Sequence, residues 1–324
     1  MIGGGVAGTF AAAALADRGI DVVRLDDGDP SASAACLGHG LPGVVEAPHR
    51  TAGSLGETRM AELLGLVRAS REVLGEHAIP GLAWRSERPE AELDADVATL
   101  RRHGLSAERV AGGWTCADAF SVHPREVLAA WGARSRRVSA RALEVRTERN
   151  KLRVLTTHEP WSCELVVFAC GWRAPAVERW FEERVVPVRE QALGLAATER
   201  GAVRTGQGWT AWSSGEISGC RWASPHLEVG ETAPVPTEAV QRRLREAAER
   251  EGIEVLGPAR AWIEAHTCDG LPFVGPLPGD VRRLALVGFC GNDWGLAPGA
   301  ADQLARGLID GTAPAGVCAP GRMF

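Results

Sequence analysis

The chain has no tyrosine and a single lysine, Lys151, among its 324 residues. Chemistry that depends on a phenolic hydroxyl or a buried lysine amine is therefore largely closed to it. Its cysteines, at 36, 116, 163, 170, 220, 268, 290 and 318, include no C-x-x-C pair. Their scatter matches neither a zinc pattern nor a small disulfide framework. They read as reduced thiols in a cytoplasm, and no metal is expected. No apolar run approaches the roughly 20 residues of a membrane-spanning helix. The longest, from Val6 to Ala16, is short enough to be a helix packed behind a loop. The net charge of −5 leaves no basic footprint, so nucleic acid is not an expected partner. Acidic small substrates stay open, because a site can be locally positive.

With 45% hydrophobic and 24% charged residues, the composition is that of a globular protein with ample core for one large or two intertwined domains. The chain opens on Gly3-Gly4-Gly5-Val6-Ala7-Gly8, followed by the apolar Val22, Val23 and Leu25 and then Asp26. Glycines let backbone approach a pyrophosphate, the next helix presents its N-terminus to the charge, and an acid at the end of the second strand binds a ribose. Only Met1 and Ile2 precede the glycines. A central first strand needs about 5 residues, so the chain looks cut short inside that strand, as a misplaced start would leave it.

Apolar residues at helical spacing predict an amphipathic helix from Glu57 to Glu76, with Met60, Leu63, Leu64, Val67, Val73 and Leu74 inward. Further helices are expected over Glu90–His103, His123–Trp131, Thr237–Glu251 and Leu296–Asp310. Strands are expected around Val138–Arg146, Leu152–Thr156, Leu165–Ala169 and Leu284–Val287, and Ser31 to Gly43 reads as a loop over a cofactor. The Trp-rich stretch from Val185 to Ala265 reads as an antiparallel sheet carrying one helix, and the last segment returns to the first domain.

Near the far end stand Asp269-Gly270-Leu271-Pro272-Phe273-Val274-Gly275-Pro276, the glycine-rich run Gly288 to Gly295, and an amphipathic helix. With the N-terminal glycines, these resemble the FAD-dependent oxidoreductases of the D-amino-acid oxidase, glycine oxidase and sarcosine oxidase superfamily. The resemblance covers essentially the whole length and is loosest in the middle third. It implies an α/β fold: a Rossmann-like FAD-binding domain (1–47, 120–186 and 267–324) interleaved with a substrate domain on a mainly antiparallel sheet (48–119 and 187–266). A nicotinamide enzyme has no need of the second glycine run, so FAD is preferred to NAD.

The resemblance places Gly3, Gly5, Val6, Ala7 and Gly8 on the pyrophosphate, Asp26 and its neighbour Asp27 at the adenosine ribose, and Ser33 on the pyrophosphate from the small-residue loop. Val138 would meet adenine through its backbone, and Ala169 and Gly171 belong to a second flavin motif in which Cys170 replaces the usual threonine. Gly291, Asn292 and Leu296 fall in the loop around the isoalloxazine, whose amides and helix dipole would favour negative charge on the N1–C2=O edge of the reduced ring. Asn292 stands where relatives often have histidine. His39 is a candidate base, and Asp293 a carboxylate where relatives often have glycine. Glu264 occupies the position at which amino-acid-oxidising relatives usually carry a carboxylate-gripping arginine. That charge reversal favours an amine cation, with Arg189, Arg221 and Arg260 as alternative carboxylate clamps. Glu190 replaces glycine in a Pro-x-Arg-Gly-Gln-like segment. Trp262 holds the place of a covalent-flavin cysteine, so FAD should be non-covalent.

The implied reaction is hydride removal from the carbon of a C–N bond in a small amine or amino acid, giving an imine, with oxygen or another electron acceptor completing the cycle. The absent lysine tilts this toward a dehydrogenase. Two other readings are a non-catalytic or truncated flavin-binding relative, and an enzyme modifying an amine carried on a macromolecule such as tRNA.

Overall fold

The computed structural model describes residues 1–28, 32–86, 88–196, 202–206, 209–213, 218–222 and 228–323, with the side chains of 202–206, 209–213, 218, 220–222 and 323 outside the description. Ser31, at the start of the small-residue loop, and the Arg221 side chain thus fall outside it.

Ile2 is the hinge of the first sheet. It bridges Leu25 on one side and Phe168 on the other, both in parallel, through Ile2 N–H to Val167 O at 2.9 Å, Ala169 N–H to Ile2 O at 2.8 Å and Gly3 N–H to Leu25 O at 2.9 Å. The resulting order is Arg136–Val138, Val23–Leu25, Ile2, Val166–Phe168, Asp280–Val287, Phe273–Leu277, with only the last pair antiparallel. The helix Val6–Asp17 follows directly. Its alanine-rich surface is buried on nearly every side, as expected of a helix that is apolar all round.

The second sheet has ten strands among the described residues. It is antiparallel except where Ala202–Gly206 runs parallel to Ile79–Ser86. Its longest pairing joins Val185–Leu195 to Val255–Thr267. A three-stranded antiparallel sheet, Ala142–Glu148, Lys151–Thr156 and Trp161–Cys163, stands apart. The architecture is thus the expected α/β combination of a Rossmann-like sheet and a mainly antiparallel one.

The expected helices form, with ends shifted by a few residues. The 57–76 helix runs Glu57–Leu74, with Met60, Leu63, Leu64, Val67 and Leu74 buried, and stops at Gly75, whose φ is 55°. The strand expected over 138–146 is two strands, Arg136–Val138 and Ala142–Glu148, which belong to different sheets. The stretch read as a loop from 31 to 43 contains a short helix, Ala32–Ala35, and the strand His39–Gly40. The last helix begins at Asp293 rather than Leu296, because the Asn292 carbonyl already accepts the Leu296 N–H at 3.1 Å. Pro298 therefore lies inside the helix, where it removes one backbone bond. Beside it, the Gly299 N–H donates to Ser70 Oγ at 2.9 Å, which seats this helix against Glu57–Leu74.

Candidate active site

The glycine loop sits where the first sheet meets the first helix. Gly3 has φ 118°, and a Cβ there would overlap the Ala169 carbonyl. A Cβ on Gly8 would overlap the carbonyl of Gly3. These close approaches pack the helix N-terminus, the loop and the strand end at Ala169 into one cradle. Gly5 caps the helix without a side-chain hydrogen bond, so first-turn N–H groups, Val6 and Ala7 among them, point out of the helix end. Ser33 Oγ accepts the Val6 N–H at 3.0 Å. The structure therefore brings Gly3, Gly5, Val6, Ala7, Gly8, Ser33 and Ala169 together.

Asp26 ends the next strand and lies against Gly4, where a Cβ would run into its carboxylate. It pairs with Arg137 Nε at 2.9 Å and accepts the Gly28 N–H at 3.1 Å. Asp27 pairs with Arg141 at 2.7 Å and Arg173 at 3.2 Å. The Val138 carbonyl accepts the Asp26 N–H at 3.0 Å, so Val138 sets the acid's position through its backbone. Gly171 follows with φ 57°. A helix N-terminus, a glycine cradle and an acid beside the loop suit the pyrophosphate and ribose of FAD.

At the other end of the last sheet strand, the chain turns through Gly288, Cys290 and Gly291, all at positive φ. Such a φ is uncommon for a residue with a side chain, and Cys290 holds it with its thiol donating to Gly288 O at 3.1 Å. Burial pushes that thiol up to about 12. Asn292 is fully buried, and its amide is spent on Leu41 and Gly43. Leu296, also fully buried, lies in the first turn of the last helix.

Against this loop stands a group of acids. The register sets Glu190 opposite Trp262, Val188 opposite Glu264 and Val186 opposite His266. Directly paired residues share a face of a sheet, so Glu190, Glu264 and His266 face the same way. Their ligating atoms lie within 4.8 Å of one another. Trp262 Nε1 donates to Glu264 Oε1 at 2.8 Å, while Glu264 Oε2 lies 3.6 Å from His266 Nε2. A Cβ placed on Gly291 would be 3.3 Å from Glu264 Oε2 and 3.5 Å from Glu190 Oε1. The carboxylates therefore border the loop itself.

Their fields are felt nearby. Burial, then the charges of Glu264 and Glu190, push the Asp293 carboxyl up to about 8. Burial alone would lower His266, but the Glu264 carboxylate 3.6 Å away, with Glu190 and Asp293 behind it, leaves it raised. Cys36 is driven to about 12 by burial and by Asp293 and Glu264. Burial and the neighbouring acids thus favour the protonated form of Asp293, which eases the conflict between a carboxylate there and negative charge developing on a flavin.

These shifts fix the sign of a stability change. A raised Asp293 costs stability as pH climbs from the ordinary carboxylate range toward 8, because the unfolded chain has already released that proton. A raised His266 contributes stability below the ordinary imidazole value and loses it as pH rises through the folded one. Both effects run the same way between about pH 6.5 and 8. Thermal melts should show Tm falling across that window, with a shallower slope in Asp293→Asn. An unchanged slope would remove Asp293 from the coupled group.

Of the expected site residues, Glu264 and Asp293 converge. His39 is buried on its strand, paired with Ser121, two residues before the Leu41 amide that Asn292 holds. Arg189 grips Glu228 with both arms at 2.8 Å, and Arg260 is exposed. His266 and the hydrogen-bonding role of Trp262 were not anticipated. The signal was present as Trp262-x-Glu264-x-His266, a period of two that lines one face of a strand.

Comparison with known proteins shows the family. The DAO family model, described as FAD dependent oxidoreductase, matches residues 1–306. The chain is 26% identical over 340 aligned residues to the tRNA 5-methylaminomethyl-2-thiouridine biosynthesis bifunctional protein MnmC of Caulobacter sp. (strain K31), covering 95% of this chain and 54% of that protein. It thus spans about half the length of that curated relative. The fold is similar to L-proline dehydrogenase from P. horikoshii (TM-score 0.81, 15% identity, 99% of this chain and 96% of the other). It is also similar to glycine oxidase from Geobacillus kaustophilus (TM-score 0.76, 18% identity, 96% and 94%). The chain belongs to the DAO family of FAD-dependent oxidoreductases.

Proposed function

We propose that the protein oxidises a C–N bond of a small amine or amino acid to an imine, with an amine preferred. The observation that carries the reading is the group Glu190, Glu264 and His266 bordering Gly291, with Asp293 at the head of the following helix. Bound FAD supplies the hydride acceptor, at N5. On this reading it is non-covalent and held by 1–47, 120–186 and 267–324, with 48–119 and 187–266 forming the substrate side.

The chain's own residues have three tasks. Glu264 and Glu190 draw a cationic nitrogen toward the Gly291 loop, and Trp262 fixes one Glu264 oxygen so that the other faces His266. The nitrogen must shed a proton before its neighbouring C–H is given up as hydride. Glu264 with His266 is positioned to take that proton, and His39 is a second acceptor. The imine then hydrolyses to a carbonyl compound, and oxygen or another electron acceptor restores the cofactor. The L-proline dehydrogenase and glycine oxidase likenesses support the amino-acid side of that class, since both names specify amino acids, whereas the preference for an amine rests on Glu264 and Glu190.

The test sets each amine against its carboxylated counterpart: pyrrolidine against proline, dimethylamine against sarcosine, isobutylamine against valine. Faster turnover of the amines supports the reading. Preference for the amino acids would assign a carboxylate clamp elsewhere, Arg221 being one candidate.

The relation to MnmC favours a second reading, in which the amine is carried on tRNA. That reading expects activity on the carried amine alone, with affinity falling steeply as salt rises.

A further inference from the structure

We infer that Asn292 is a positioning residue that ties the segment following His39 to the glycine loop at the flavin end, and through that tie sets how tightly FAD is held. The inference rests on FAD binding by this chain and does not depend on which substrate is oxidised.

Asn292 is 0% exposed. Its Oδ1 accepts the Leu41 N–H at 2.9 Å. Its Nδ2 donates to the carbonyls of Leu41 at 3.0 Å and Gly43 at 2.5 Å. One amide thus bonds three backbone groups that lie about 250 positions away in the chain and are themselves buried. Its own backbone is engaged too: its N–H donates to Phe289 O at 3.1 Å, and its carbonyl accepts the first hydrogen bond of the Asp293–Asp310 helix.

Two neighbours show that the site is built around this side chain. A Cβ on Gly295 would run into the Asn292 amide, so the helix needs glycine there to leave the amide its place. Val45, just beyond the tied segment, lies 3.2 Å from where a Cβ on Gly291 would stand. The tie therefore presses residues 41–45 against the loop that borders the carboxylates. Buried carbonyls deprived of a donor are costly, and a carboxylate in place of the amide supplies no donor to either of them.

The experiment measures FAD dissociation by flavin fluorescence, together with thermal melts, for the wild type, N292D, N292S, N292A, G295A and N292A/G295A. N292D is expected to weaken FAD binding by about 10- to 100-fold. N292S should do the same if N292D does not fold, since serine suits a helix start but cannot span to Leu41 and Gly43. G295A should lower Tm in the wild type and have little effect in the N292A background, because the clash is then gone. A wild type and N292 variants that hold FAD equally, whatever their Tm, would reduce Asn292 to a structural residue and overturn the inference. Additive Tm losses in the double variant would do the same for the Asn292–Gly295 contact. A wild type that binds no FAD overturns the inference, whereas one that binds FAD but is reduced by no amine or amino acid overturns the functional reading alone.

Discussion

Glu264→Gln is expected to lower kcat/KM for the preferred amine by about 100-fold, in line with the loss seen when one partner of a buried charge pair is removed, while FAD content stays at the wild-type level. Glutamine keeps the volume and the acceptor for Trp262 Nε1, now 2.8 Å from Glu264 Oε1. What it loses is the negative charge beside His266 and Gly291. A cationic nitrogen then loses its attraction, and the proton it must shed loses its acceptor. The raised state of His266 rests first on the Glu264 carboxylate 3.6 Å away, so its pKa should fall in this variant, shifting the acidic limb of the pH–rate profile. Steady-state kinetics across pH measures both changes. A variant with unchanged kinetics on amines would place the nitrogen elsewhere.

Gly3→Ala is expected to leave the protein without FAD. The residue holds φ 118°, and the added methyl would meet the backbone carbonyl of Ala169 rather than a side-chain tip that can swing away. Forcing such a backbone conformation on a residue with a Cβ costs about 1–3 kcal/mol before any clash is counted. The displaced chain includes Ile2, which holds the two halves of the first sheet together. The ratio of blue to near-ultraviolet protein absorbance, with a thermal melt alongside, reads the outcome. Wild-type FAD content in Gly3→Ala would mean that the cradle does not hold the pyrophosphate.

The glycine loop, the helix after it and the acid that follows were legible because their physics is local. Glycines, an alanine-rich helix and an acid after an apolar strand follow one another in sequence, and the structure sets Asp26 against Gly4. The substrate end was half legible. Glu264 and Asp293 stood out as departures from a family pattern, but Glu190 becomes part of their group only through the pairing of Val185–Leu195 with Val255–Thr267. Such a register is set by contacts between distant segments, which no local window contains. Asn292 shows the same limit. Its place in the loop read as a flavin contact, whereas its amide is engaged with Leu41 and Gly43, segments that only the fold brings near. The last helix was placed three residues late: it begins at Asp293, and Pro298 lies inside it.

The central claim is that this chain binds FAD and uses it to oxidise an amine. Its most direct test is the absorbance spectrum of the purified protein, followed anaerobically as amines and amino acids are added. The account predicts flavin bands in the near-ultraviolet and blue that bleach with an amine, and FAD that is released by acid precipitation. Flavin bands that no amine or amino acid bleaches would contradict the proposed reaction, and a protein that neither carries nor takes up FAD would contradict the account at its base.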